Sequence, residues 1–125
     1  MKLIDSSVAI DHLRGKQPAT ALLTGLVEEG ETLIASELVR FELLAGVLPN
    51  EIDAFEQFCS SLVWIPVDED IARTAGSLAR KYRKAHSGID DVDYLIAATA
   101  IVLDADLLTG NVRHFPMLGD LLPPY

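Results

Sequence analysis

The chain has 125 residues, half of them apolar, with a single cysteine and a net charge of −9. That length suits one domain that buries its own core, and Cys59, with no second cysteine to pair with and no CxxC neighbour, excludes a disulfide scaffold or a cysteine-based zinc module. The acidic total argues against long-range attraction to nucleic acid or anionic membranes, so a nucleic-acid role needs local compensation.

Short β-type runs alternate with longer helical patterns, and no repeat, low-complexity tract or linker interrupts them. "KLI" reads as a buried strand ending at Asp5, and "SSVAIDHLRG" as a helix opened by a serine cap and closed by Gly15. Pro18 suits the first turn of a second helix, whose Leu22, Leu23, Leu26 and Val27 form one apolar face. "TLIAS" is a second strand, after which Ser36 caps "ELVRFELLAGVL", stopping before Pro49. A helix in "EIDAFEQFCSSL" precedes a third strand in "VWIPV", and Asp68 caps a long helix over residues 69–85. A further helix over residues 91–103 leads to a fourth strand, "DLLT", which carries the chain to Asn111.

Strands separated by helices imply an α/β fold, a parallel sheet flanked by helices, with ligands at the carboxyl ends of the strands. Asp5 and Asn111 belong on that rim. The opening "MKLIDSSVAIDHL" meets Asp5 and Asp11 before any leader-like apolar run develops. The longest apolar run, residues 94–103, is far short of the roughly 20 residues that span a bilayer, so a cytoplasmic protein with no membrane contact is expected.

Two acids interrupt apolar helix faces. Glu42 has Leu38, Val39, Ala45 and Gly46 as its helical neighbours, and Asp93 is followed on its own face by Ile96, Ala97 and Ala100. Each is either a boundary residue (Glu42 reaching outward, Asp93 capping its helix) or an acid turned inward for a purpose. Asp90, Asp91 and Asp93 together exceed what capping needs, because like charges ~4 Å apart repel by about 4 kcal/mol at an effective dielectric of roughly 20. If Asp5, Glu42 and Asp93 converge, a hard divalent cation is the natural relief, with Asn111 adding a neutral oxygen. Few ligands and retained water suit magnesium or manganese, and such an ion at a sheet rim suits phosphodiester hydrolysis. His12, His86 and His114 are scattered and read as surface or local structural residues. In "ARKYRKAH", Arg80, Lys81, Arg83 and Lys84 form either a solvated last helical turn or a strip for the RNA backbone.

"LIDSSVAIDHLRG", "ELVRFELLAG", "DVDYLIAATA" and "LLTGNVRHF", in that order, resemble a PIN-domain protein, and more narrowly the VapC-type toxins of bacterial toxin–antitoxin pairs. The resemblance implies one PIN domain over residues 1–125, a central parallel sheet of about four to five strands, and a Mg²⁺- or Mn²⁺-dependent endoribonuclease. Its acids match Asp5, Glu42 and Asp93. Ser7 matches a hydroxyl residue supporting the first acid, Thr109 and Asn111 match polar positions after the late strand, and the implied role of Asn111 is to orient the ion or its water. Asp91 is then an outer ligand or an acid behind the ligands, and Asp90 a solvent-facing cap. Two departures stand out: Asn111 occupies a position where many PIN nucleases carry Asp, and Gly110 one where relatives often carry Arg. The resemblance further implies a homodimer and a VapB-like antitoxin in a hetero-oligomer, with the apolar faces around Leu22, Leu26, Phe55 and Phe58 as contacts or as ordinary core.

Other acidic α/β readings fit less well. A haloacid-dehalogenase phosphotransferase needs a second Asp where Ser7 stands, and a receiver domain needs a late lysine, yet none follows Lys84. A non-catalytic PIN-like binding module stays open, because ligands do not by themselves establish turnover.

Overall fold

A computed structural model describes residues 1–125 throughout. Its sheet contains β1 (Lys2–Ile4), β2 (Leu33–Ser36), β3 (Val63–Ile65) and β4 (Asp106–Leu108), all parallel, in the spatial order β3-β2-β1-β4. Parallel neighbours cannot be joined by hairpins, and helices make the crossovers. These are α1 (Ser6–Leu13), α2 (Gln17–Glu28), α3 (Glu37–Gly46), α4 (Ile52–Cys59), α5 (Glu69–Tyr82) and α6 (Asp91–Leu103). Single 3₁₀ turns lie at Pro49–Glu51, Val112–His114 and Pro116–Leu118. No helix is long and apolar enough to cross a membrane.

The main core joins Leu3 and Ile4 of β1 and Ile34 of β2 to Val39, Phe55, Ile96 and Phe115. A smaller cluster of Ile71, Ala75, Tyr94 and Ala98 locks α5 onto α6. Residues Ile96 to Ala100 are all buried, so the middle of α6 is enclosed on every side, while Ile101 and Val102 at its end reach solvent.

Several local readings are corrected. The N-cap of α1 is Asp5 rather than a serine, and its side chain makes no capping bond because it is engaged elsewhere. Helix α4 ends at Cys59, where the hydroxyls of Ser60 and Ser61 donate back to the carbonyls of Gln57 and Phe58, both at 2.6 Å. Helix α5 ends at Tyr82, where the amides of Ala85 and His86 both turn back to the Tyr82 carbonyl. Val27 is exposed, and the buried face of α2 is carried by Ala19 and Leu23. Phe55 and Phe58 are 2% and 9% exposed and belong to the core, and Leu26 packs against it, while Leu22 is half-buried. Among the apolar side chains left in solvent, Phe41, Leu44, Leu48 and Ile52 fall close together in sequence, on α3 and the turn into α4.

Ser36, wholly buried, accepts a hydrogen bond from the Leu38 amide at 3.1 Å and starts α3. Phe115, also wholly buried, pins the 3₁₀ turn that follows β4. In urea unfolding, Phe115→Ala is expected to lower stability by about 3–5 kcal/mol and Ser36→Ala by about 1 kcal/mol. A loss below ~1 kcal/mol for Phe115→Ala would show that this turn does not depend on its anchor.

Candidate active site

The site is built outward from the end of β1. Asp5 is buried at the rim of the sheet, and its Oδ2 accepts hydrogen bonds from the Thr109 hydroxyl at 2.7 Å and the Ser7 hydroxyl at 3.3 Å. Thr109 follows β4 directly, and its Oγ1 accepts from the Asn111 amide at 2.9 Å, while Ser7 Oγ accepts from the Gly110 amide at 3.0 Å. Two hydroxyls therefore tie the loop after β4 to the Asp5 carboxylate. Asn111 is exposed at the start of its 3₁₀ turn. A Cβ at Gly110 would meet Ser7 at 3.7 and 3.8 Å, ordinary contact distances, so space does not dictate the glycine there.

Asp93 enters from the first turn of α6. Asp90 is the N-cap, its Oδ1 accepting from the Asp93 amide at 3.1 Å, and Asp93 Oδ2 accepts in return from the Asp90 amide at 3.3 Å, a capping box. Asp93 also lies 3.2 Å from His114 Nδ1. Capping thus accounts for Asp90 and for part of what Asp93 does. Asp91 is exposed and paired with Arg83 at 2.6 Å. Asp91 thus has a cationic partner that Asp5 and Glu42 lack, and Arg83 is not free as the rest of the basic strip is. Arg80, Lys81 and Lys84 remain exposed, without carboxylate partners.

Glu42 comes from α3 and is exposed, with Ala45 and Gly46 beside it also in solvent, so the apolar stripe around it is narrower than its spacing implies. It stands at the edge of a groove of about 560 Å³ walled by Ile10, Leu13, Leu43, Val47 and Phe55. Its pKa is pushed up, first by the partial loss of solvent around its carboxyl, although the residue as a whole is exposed, and then by the charge of Asp5, with Asp90 and Asp93 adding to this and the Ser6 hydroxyl opposing it. The Asp93 carboxyl is also pushed up, chiefly by burial, with the charges of Asp90 and Asp5 adding and the Asp90 amide and His114 opposing. Asp5, Glu42 and Asp93 therefore share one electrostatic field although they come from three elements.

Neither Asp5 nor Glu42 has a cationic partner, and Asp93 has only His114. No three acidic, imidazole or thiol side chains close around one point tightly enough to hold a metal as they stand. Three carboxylates in one field, with no lysine or arginine among them, are an all-oxygen donor set of the kind that suits a hard divalent cation.

His114 is the residue that the sequence undervalues. The signal was present in "NVRHF", where the anchored Phe115 fixes the turn that carries His114. The local reading fits His12, whose Nδ1 lies 2.9 Å from Thr20 Oγ1, and the surface reading fits the exposed His86.

A parallel sheet with a hydroxyl-braced aspartate at its carboxyl rim and two further acids in the same field defines an α/β protein with an acidic site. The PIN domain model matches residues 2–118, and the chain belongs to the PIN-domain family. Over its full length and all of theirs it is 66% identical to "Ribonuclease VapC19" of Mycobacterium tuberculosis. All of the chain also aligns at 42% identity with 93% of "Ribonuclease VapC10" from the same organism. Its fold matches that of a chain in the crystal structure of VapBC2 from Rickettsia felis bound to a promoter DNA fragment. There the TM-score is 0.84 and the identity 21%, covering 98% of this chain and 96% of that one.

The two raised carboxyl groups set a pH dependence. Their ordinary values are 3.8 for Asp93 and 4.5 for Glu42, and both are higher in the folded chain. The stability they contribute is full below those values and is lost as pH rises through the raised ones. In metal-free buffer, the melting-temperature advantage of Asp93→Asn over the unsubstituted chain is expected to grow between about pH 4 and pH 7. An advantage that stays flat, or a variant less stable throughout, would mean that Asp93 serves only as a cap.

Proposed function

We propose that this chain is the toxin of a type II toxin–antitoxin pair, a single PIN domain over residues 1–125 that hydrolyses RNA phosphodiester bonds and so inhibits translation and growth. The observation that carries the reading is the group Asp5, Glu42 and Asp93, acids without a lysine or arginine partner that share one field at the sheet rim. The relatives' name, Ribonuclease VapC, supplies the reaction class.

Asp5, Glu42 and Asp93 are the residues that would hold a divalent cation, and the small oxygen set favours Mg²⁺ or Mn²⁺ over calcium. When bound, the ion offsets charge on phosphoryl oxygens and makes water a competent nucleophile at neutral pH. Thr109 and Ser7 hold the Asp5 carboxylate in one orientation by donating to the same oxygen. Asn111, whose amide is fixed by Thr109, offers a neutral side-chain oxygen to orient water or substrate. His114 holds Asp93 from the other side.

The partner is a VapB-like antitoxin. The groove beside Glu42, bordered by Leu48 and close in sequence to the exposed Phe41, Leu44 and Ile52, offers an apolar seat next to the acids. A homodimer bound to antitoxin, in the cytoplasm, completes the reading.

Purified protein free of antitoxin is expected to cut a mixed RNA pool with magnesium and to stop in EDTA. Asp5→Ala and Asp93→Ala should both be inactive, and cleavage surviving either change would overturn the metal-nuclease reading. Thr109→Val, which removes only the hydroxyl bracing Asp5, should lower cleavage or metal affinity by about 10–100-fold while leaving the fold intact by circular dichroism.

A further inference from the structure

Beside the acids lies a second, differently charged feature. A shallow cup of about 240 Å³ is lined by His86, Gly88, Ile89, Arg113 and His114. We propose that this cup seats a backbone phosphate of the RNA strand, flanking the one being cut, with Arg113 as its principal donor. This deepens the ribonuclease reading and rests on it.

Charge is the first support. The chain carries a net charge of −9, yet no carboxylate lines the cup, whose polar side chains are one guanidinium and two imidazoles. Arg40, Arg73 and Arg83 are each paired with an acid, whereas Arg14, Arg80 and Arg113 have no ion-pair partner, and of these only Arg113 lines the cup. An arginine left free in so acidic a chain is available to an anion, and its planar fork suits phosphate.

Position is the second support. His114 belongs to both features: it lines the cup, and its Nδ1 lies 3.2 Å from Asp93 Oδ2. An anion in the cup is therefore one side chain away from the acids. Of the nearby acids, Asp91 is paired with Arg83 and Asp93 faces His114, which leaves Asp90, the cap of α6, as the one without a cationic partner. On the far side, His86 stacks on Tyr82, with ring centroids 5.8 Å apart, and joins the cup to the turn bearing Arg80, Lys81 and Lys84.

Rigidity and size are the third. Ile89 packs into the α5–α6 cluster and Phe115 anchors the opposite wall, so the cup is pre-formed. It is smaller than the roughly 300–1,000 Å³ of pockets that enclose drug-sized ligands, which suits a single backbone group. The strip read from "ARKYRKAH" thus becomes the approach, and Arg113 the contact nearest the chemistry.

The test uses the full chain in EDTA, with amide signals followed by NMR as inorganic phosphate and then a short single-stranded RNA are added. Signals of Gly88, Arg113 and His114 should move with both probes. Arg113→Ala should weaken RNA binding about tenfold, the size of one charge-assisted contact, and reduce the salt slope by about 0.7, one phosphate's worth on a single strand. Arg113→Lys should recover part of the affinity, and Arg73→Ala, at an arginine already held by Glu69, should change neither quantity. With magnesium, Arg113→Ala should raise KM and leave kcat near its starting value.

RNA-induced shifts confined to residues 80–84, or an unchanged salt slope in a folded Arg113→Ala, would overturn the cup. Cleavage by the unsubstituted chain with a silent cup sinks only this proposal. Phosphate and RNA binding in the cup without metal-dependent cleavage sinks the nuclease reading and leaves the anion site standing.

Discussion

The pairing of β1 with β4 is the constraint on which the site depends. Leu3 lies opposite Leu107 and Ile4 opposite Leu108, so the next residues, Asp5 and Thr109, emerge side by side at the carboxyl rim. The Asp5 amide closes this register by donating to the Leu108 carbonyl at 3.0 Å, and the Thr109 hydroxyl then reaches the Asp5 carboxylate at 2.7 Å. A slip of one residue would turn both side chains to the wrong face. Strands of three residues hold this register because the core residues on both sides of it are buried.

The acids impose a cost that the surrounding structure offsets. Burial and mutual repulsion raise the proton affinity of Glu42 and Asp93, yet Asp93 is held at the start of a helix whose middle is buried from Ile96 to Ala100. There the helix dipole favours its negative charge by roughly 0.3–1 kcal/mol. The Asp90 amide and His114 add direct contacts. Opposed forces of this kind leave a group that gains from a cation, and the fold supplies no lysine or arginine for it.

The distribution of cations complements that of the acids. Lys2, Lys16, Arg40, Arg73 and Arg83 are matched with carboxylates. Of the unmatched ones, Arg14 borders the apolar groove, Arg80, Lys81 and Lys84 crowd the last turn of α5 and the loop after it, and Arg113 follows β4. A strongly acidic protein can thus present a local positive path beside its acidic centre, which its total charge conceals.

The sequence by itself determined the order and type of the main elements, because each strand is a short apolar run and each helix carries its own start signal or apolar face. Asp5 at the end of β1, Ser36 as a cap, and Asp68 and Asp90 as caps of α5 and α6 were all legible locally. Tertiary structure alone decided the partners. Asp91 could not be separated from Asp93 until Arg83, eight residues earlier in the chain, claimed it. His114 looked isolated because Asp93 is distant in sequence, and Phe55 and Phe58 could be assigned to the core only once the sheet was placed behind them. Periodicity reports which face of an element is apolar, whereas a site is made by faces of different elements meeting, and only the packed chain fixes which ones meet.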